Sequence, residues 1–94
     1  VRRLASSDPL TGLANHRAFH DRLAHEVARA RRHGRSLALA LIDIDHFRRI
    51  NGEHGYAAGD EVLVEVARRL AALARESDLL ARVGGEEIAW VMPE

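Results

Sequence analysis

The chain of 94 residues contains no cysteine. That excludes a disulfide framework, thiolate zinc sites and a cysteine nucleophile and, in so short a chain, favours a reducing compartment, so a cytoplasmic location is expected. Lysine is missing too: all fourteen basic residues are arginine, and a mechanism that needs a lysine amine cannot run inside this chain. A codon bias toward Arg and Ala is the plainer reading of that composition, ahead of a functional one. The longest unbroken apolar run, Leu37 to Ile42, has six residues, against the roughly 20 that a spanning helix needs. No charged-then-apolar leader opens the sequence, so neither a membrane span nor a signal peptide is expected of this stretch. Nor is there an excess of charge: 14 basic and 14 acidic residues give a net charge of zero. A neutral chain lacks the basic footprint of a general nucleic-acid binder, and no nucleic-acid partner is expected. The charges are nonetheless unevenly placed, with eight arginines against three acids in residues 1–35 (+5) and six against eleven in residues 36–94 (−5).

What is present, 47% apolar and 30% charged residues, suits one small folded domain with a single modest core. Val1 to Ser7 reads as a connector. Asp8-Pro9-Leu10-Thr11-Gly12-Leu13-Ala14-Asn15 carries turn chemistry that leads to a helix start near Asn15. Phe19, Leu23, Val27 and Ala30 recur at helical spacing through Arg32, with Gly34 as the stop. Ser36 to Asp43 fits a strand buried on both faces whose acidic end opens onto polar surface, the place where a site is expected. Asp45 to Gly55 reads as a short helix broken by Asn-Gly. A long helix is expected over Ala58 to Arg75, with Leu63, Val66, Ala67, Leu70, Leu73 and Ala74 as its buried stripe. Leu79 to Val83 and Ile88 to Met92 are then two strands around a four-residue connection, Gly84-Gly85-Glu86-Glu87, with the glycines supplying positive-φ positions.

Two acidic clusters stand out. Asp43-Ile44-Asp45 closes the first strand, and Glu86-Glu87 sits at a hairpin tip in the same expected sheet. Carboxylates without cysteine or paired histidine are hard oxygen ligands suited to Mg²⁺ that also binds phosphate, and a pair of such metals is a device for moving a nucleotidyl phosphorus. The glycines before the acids would let backbone amides approach a phosphate. Solvated strand ends and an ordinary Gly-Gly turn are the plainer account of the same residues.

Gly84-Gly85-Glu86-Glu87-Ile88 resembles the signature of the GGDEF family, the diguanylate cyclase domain. Asp8-Pro9-Leu10-Thr11-Gly12-Leu13-Ala14-Asn15-His16-Arg17-Ala18-Phe19 is similar to the family's opening D-x-L-T-G-L-x-N-R-R-x-F. Asp43-Ile44-Asp45-His46-Phe47-Arg48-Arg49-Ile50-Asn51 is similar to its D-I-D-x-F-K-x-I-N, and Gly55, Gly59-Asp60, Leu63 and Arg82 fall in register. The resemblance covers residues 8–93. It implies an α/β fold related to the nucleotide-cyclase and polymerase palm, with a central, mainly antiparallel sheet flanked by helices. It also implies that residues 1–7 connect to an upstream region, with a sensor domain there, and that 8–94 is a GGDEF domain truncated at its C-terminal side.

The reaction implied is the condensation of two GTP molecules into cyclic di-GMP with release of pyrophosphate, each domain of a homodimer presenting one GTP. Asp43 and Glu86, with the Ile44 carbonyl, are then ligands of Mg²⁺, with Mn²⁺ an alternative. Glu87 lies near the attacking ribose 3′-hydroxyl. Gly84 and Gly85 make room for the nucleotide, and Asn51 and Asp60 read guanine. His46 and Phe47 offer backbone amides to the phosphates, and Arg48 a cation. Arg75-Glu76-Ser77-Asp78 matches the family's R-x-x-D inhibitory product site, with five residues between Asp78 and Gly84; an Arg near a helix end is the plainer reading of that pair.

Four positions depart from the family pattern: Arg48 replaces a lysine, Gly52 an aspartate, Tyr56 a histidine and Ile88 an aromatic residue. None removes an implied metal ligand, and Ile88 is expected to point into the core behind the turn. The departures leave a second reading open, a degenerate domain that serves as a cyclic di-GMP or GTP receptor or regulatory module. His16 and His20, one helical turn apart, are read as an exposed helix face, the arginines at 29, 31, 32 and 35 as a helix-end cluster, and Trp90 as sheet-face packing.

Overall fold

A computed structural model describes residues 6–94. The elements follow in the order α1 (His16–His33), β1 (Leu37–Asp43), α2 (Phe47–His54), α3 (Tyr56–Leu73), β2 (Leu79–Arg82) and β3 (Glu87–Pro93). They build an α/β unit on a three-stranded antiparallel sheet of order β1-β3-β2. Of the connector expected over 1–7, residues 1–5 lie outside the described residues. Ser7 bridges to Ala14, and the Asn15 N–H donates to the Ser6 carbonyl at 3.1 Å.

Each end of α1 is set by one residue. The Asn15 side chain accepts from the Ala18 N–H at 2.9 Å, satisfying one of the helix's open donors. At the other end Gly34 takes the left-handed conformation, φ 64°, and donates to the Ala30 carbonyl. The loop before α1 folds back on itself: Asp8 accepts from the Thr11 hydroxyl and N–H at 2.7 and 2.8 Å. Ala14 then donates to Leu80 and accepts from Arg82, which pairs the outer edge of β2.

Alternation along the strands divides the core into two layers. On one face Phe19 of α1 packs on Ala81, Ala89 and Val91, with Leu23, Leu37 and Leu79 around them. On the other face Leu63 of α3 packs on Leu80 and Ile88, joined by Ile42, Phe47, Val66 and Leu70. Leu63, Ile88 and Val91 are wholly buried, each burial contributing roughly 1.5–3 kcal/mol. Ile88 thus does point into the core behind the turn.

The structure corrects four details of the sequence reading. β1 is not buried on both faces: Leu39 and Leu41 are 44% and 71% exposed, because α1 lies chiefly over β2 and β3. Asn51-Gly52 does not break α2, which runs through it; the break falls at Gly55, φ 91°, the single residue between α2 and α3. α3 accordingly begins and ends two residues before the expected bounds, and Leu73 of its expected stripe is 70% exposed. Finally, Gly84 and Gly85 are not among the positive-φ glycines, which are Gly12, Gly34 and Gly55. A Cβ on Gly84 would stand 2.7 Å from Glu87 Oε1, the tip of an exposed and flexible side chain that can move aside.

Candidate active site

The register of the sheet decides where the acidic residues go. Asp43, the last residue of β1, pairs with Glu87, the first of β3, and the Ile44 N–H donates to the Glu86 carbonyl at 3.2 Å. Directly paired residues on antiparallel strands carry Cβ atoms about 4.5–5.5 Å apart, and like charges there repel. None of the carboxylates of Asp43, Glu86 and Glu87 has a hydrogen bond or ion pair among the described residues. Glu86, in the turn just before β3, and Glu87, the first residue of β3, line different cavities. Glu86 lines a cavity on the α2 side, and Glu87 lines a smaller one with Asp43, His16, Phe19, Leu41, Ile42 and Val83.

The α2-side cavity, of about 520 Å³, is bounded by Phe47, Arg48, Asn51, Gly52, Tyr56 and Glu86. That volume suits a small-molecule ligand. Between the strand end and the helix, His46 takes a left-handed turn, φ 61°, and its side chain does not cap α2. The first-turn N–H groups of α2 are therefore open donors at a helix N-terminus, an arrangement that favours anions. No acid stands in that first turn. Deeper in, Asn51 Oδ1 is buried without a hydrogen-bond partner.

The structure thus joins Phe47, Arg48, Asn51 and Glu86 at one cavity, beside His46 and Ile44. Asp60 is exposed on α3 and is not among the residues bounding that cavity. Tyr56, noted in the sequence only as a departure, lies at its mouth and is 79% exposed.

Among the described residues no three His, Cys, Asp or Glu side chains converge closely enough to hold a metal ion by themselves. Asp43, Glu86 and the Ile44 carbonyl are nevertheless hard oxygen donors, and the two side chains carry no competing cation. Donors of that type fit Mg²⁺, but Asp43 lines the cavity of Glu87 while Glu86 lines the other, so the structure does not gather these two carboxylates around one position.

Arg75 and Asp78 meet each other. Asp78, its side chain 2% exposed, accepts from Arg75 Nε and Nη2 at 3.1 and 2.9 Å, from the Arg75 N–H at 3.0 Å and from Trp90 Nε1 at 3.1 Å. Arg75 also donates to the Pro93 carbonyl at 2.7 Å. Burial pushes the Asp78 carboxyl up, but the bonds from Arg75 and Trp90 outweigh it and hold the group below its ordinary value. Beside the pair, Arg29, Arg75, Ser77, Pro93 and Glu94 bound a cavity of about 210 Å³. The Trp90 bond left no sequence signal beyond alternation in a strand.

Two further contacts tie the site to its frame. Arg82 donates to Asp8 Oδ1 at 3.3 Å and to the Gly85 carbonyl at 2.9 Å, linking the loop before α1 to the signature turn. Glu26 is buried, 5% exposed, against Arg22 and Arg29, and the Arg22 hydrogen bond foremost holds its carboxyl low against burial. Arg22 also reaches the Ser77 carbonyl at 2.8 Å. His16 and His20 are exposed, with their Nε2 atoms 3.1 Å apart.

Residues 5–94 match the family described as diguanylate cyclase, GGDEF domain. Diguanylate cyclase DgcP of Pseudomonas aeruginosa is 50% identical over 92 residues, 98% of this chain and 14% of that protein. The crystal structure of the coiled coil and GGDEF domain of DgcB from Caulobacter crescentus, in complex with c-di-GMP, superposes with a TM-score of 0.95 at 40% identity, covering 98% of this chain and 48% of that one. Diguanylate cyclase SiaD of Pseudomonas aeruginosa, solved in complex with its activator SiaC, gives a TM-score of 0.91 at 46% identity, covering 98% of this chain and 36% of that one. The chain therefore spans less than half the length of each of these relatives.

Proposed function

Since the chain belongs to the GGDEF family of diguanylate cyclase domains, we propose that it presents one GTP for condensation with a second into cyclic di-GMP. The observation that carries this reading is the cavity that joins Asn51, Phe47 and Arg48 to Glu86. It offers an amide for a base, a cation and open helix N–H groups for phosphates, and an unpaired carboxylate at the reacting end.

In this reading Asn51 reads the guanine edge; Asp60, the other guanine-reading position the family resemblance implies, stands exposed on α3 outside the lining of the cavity. The amides of His46 and Phe47 and the Arg48 guanidinium bind phosphate oxygens. Gly84 and Gly85 keep the turn free of side chains where the nucleotide lies. Asp43, Glu86 and the Ile44 carbonyl hold Mg²⁺ or Mn²⁺, which when bound offsets negative charge on the phosphates. Glu87 takes the proton of the ribose 3′-hydroxyl as its oxygen bonds to the α-phosphorus of the other GTP and pyrophosphate leaves. Attack of one nucleotide on another needs a second domain, so the active form is a homodimer with the two cavities face to face. Arg75 and Asp78 form a product site at which cyclic di-GMP restrains synthesis. Among the described residues no helix is long and apolar enough to cross a membrane; the reading places the domain in the cytoplasm under an upstream sensor.

Titration of GTP with Mg²⁺ into the full-length protein tests the cavity directly. Asn51→Ala is expected to weaken GTP binding about tenfold, the loss of one or two base contacts. Binding unchanged in that variant contradicts the assignment of the cavity to the base.

A further inference from the structure

Gly59 lies where α3 crosses α2, and glycine is an odd choice there. It sits inside a helix, where it costs stability relative to alanine, and its φ is not positive, so the backbone does not require it. It is buried, and its surroundings supply the reason. A Cβ on Gly59 would overlap Asn51 Oδ1 and stand 2.9 Å from Asn51 Cγ and 3.3 Å from Phe47 Cζ. A Cβ on Gly52, one residue after Asn51, would meet nothing within 4 Å, so between these two helices the tight approach belongs to Gly59 and not to Gly52. The atom packed against it is also the one buried side-chain polar atom without a hydrogen-bond partner among the described residues. Asn51 accepts that loss in order to lie back against α3.

We propose that Gly59 is a positioning residue for nucleotide recognition. Its missing side chain is the seat of the Asn51 amide, and the seat fixes how that amide faces the cavity shared with Phe47, Arg48 and Glu86. The inference rests on Asn51 contacting the base. A methyl group at position 59 evicts the amide from its seat and swings it into the cavity, with Phe47 displaced less because its ring edge lies farther off. The effect falls on nucleotide affinity rather than on the reacting carboxylates, which lie on the sheet.

The test is a double-mutant cycle in the full-length protein, read by KM for GTP, kcat and thermal midpoint. Gly59→Ala is expected to raise KM about tenfold while kcat changes far less, and to raise it less than about twofold once Asn51 is already alanine. Asn51→Ala is also expected to restore the thermal midpoint lost in Gly59→Ala, since it removes the atoms that clash. Equal factors in KM in both backgrounds, or a Gly59→Ala defect in folding that Asn51→Ala does not relieve, overturns the inference and makes Gly59 a spacer between helices. An Asn51→Ala variant with unchanged KM instead overturns the base contact on which the inference rests, and the two failures are told apart by the single variant.

Discussion

Asp78 is fixed in the frame by its hydrogen bonds and is also a residue of the proposed product site. Four donor groups converge on a nearly inaccessible carboxylate, and its pKa lies below the ordinary 3.8. The folded state therefore holds fewer protons than the unfolded chain as pH falls through that range. The stabilisation is complete above the unfolded value and is lost as pH drops through the folded one. Asp78→Asn is expected to cost about 1–3 kcal/mol at neutral pH, the worth of hydrogen bonds to a buried charge. The gap from wild type should close as pH falls below 3.8, measured by denaturant melts at stepped pH; a gap independent of pH contradicts the account. Trp90, the single tryptophan, reports on the same group. A ligand that draws Arg75 or Asp78 away is expected to change its fluorescence, and cyclic di-GMP that binds elsewhere would leave it unaltered.

At the scale of the element, punctuation was more legible than burial. Asn15 and Gly34 marked the ends of α1 in the sequence because their effects are local, a side-chain cap and a left-handed turn. Gly34→Ala is expected to cost about 1 kcal/mol, since the φ of 64° is unfavourable for any residue with a Cβ; an unchanged thermal midpoint contradicts it. Asn51-Gly52 misled for the complementary reason. The pair is turn chemistry by composition, but packing against α3 keeps α2 helical through it, and tertiary contact overrides propensity. Gly84 and Gly85 were legible as turn glycines, but neither takes a positive φ, and the nearest neighbour of Gly84 is only the flexible tip of Glu87. The run from Leu37 to Ile42 could not reveal that α1 leaves Leu39 and Leu41 uncovered, because that depends on where a distant helix lies. The site divides in the same way. Its acids, Asn51 and Arg48 were visible as motifs, whereas the seating of Asn51 on Gly59 and the bond from Trp90 to Asp78 exist only once the sheet and helices have met.

Among the described residues three carboxylates without counter-ions stand at one end of the sheet, in the acidic part of a chain whose first 35 residues are net basic. The fold supplies that end with open helix donors on one side and Glu87 opposite Asp43 on the other. The outer edge of β2 is paired by Ala14, while β1 pairs on one side only among the described residues, beside the exposed Leu39 and Leu41. An unpaired strand with apolar neighbours is a template for further pairing. The 94-residue chain by itself is accordingly expected to self-associate with concentration in light scattering, and Leu41→Lys to reduce that association. A monomer at all concentrations contradicts it.

The central claim is tested most directly by GTP turnover with Mg²⁺ in the full-length protein, with cyclic di-GMP and pyrophosphate followed by chromatography beside a Glu86→Ala variant. The account predicts both products from the wild type and their loss in the variant, with the fold retained. A folded, dimeric wild type that binds GTP and forms no cyclic di-GMP contradicts it, and makes the domain a nucleotide receptor.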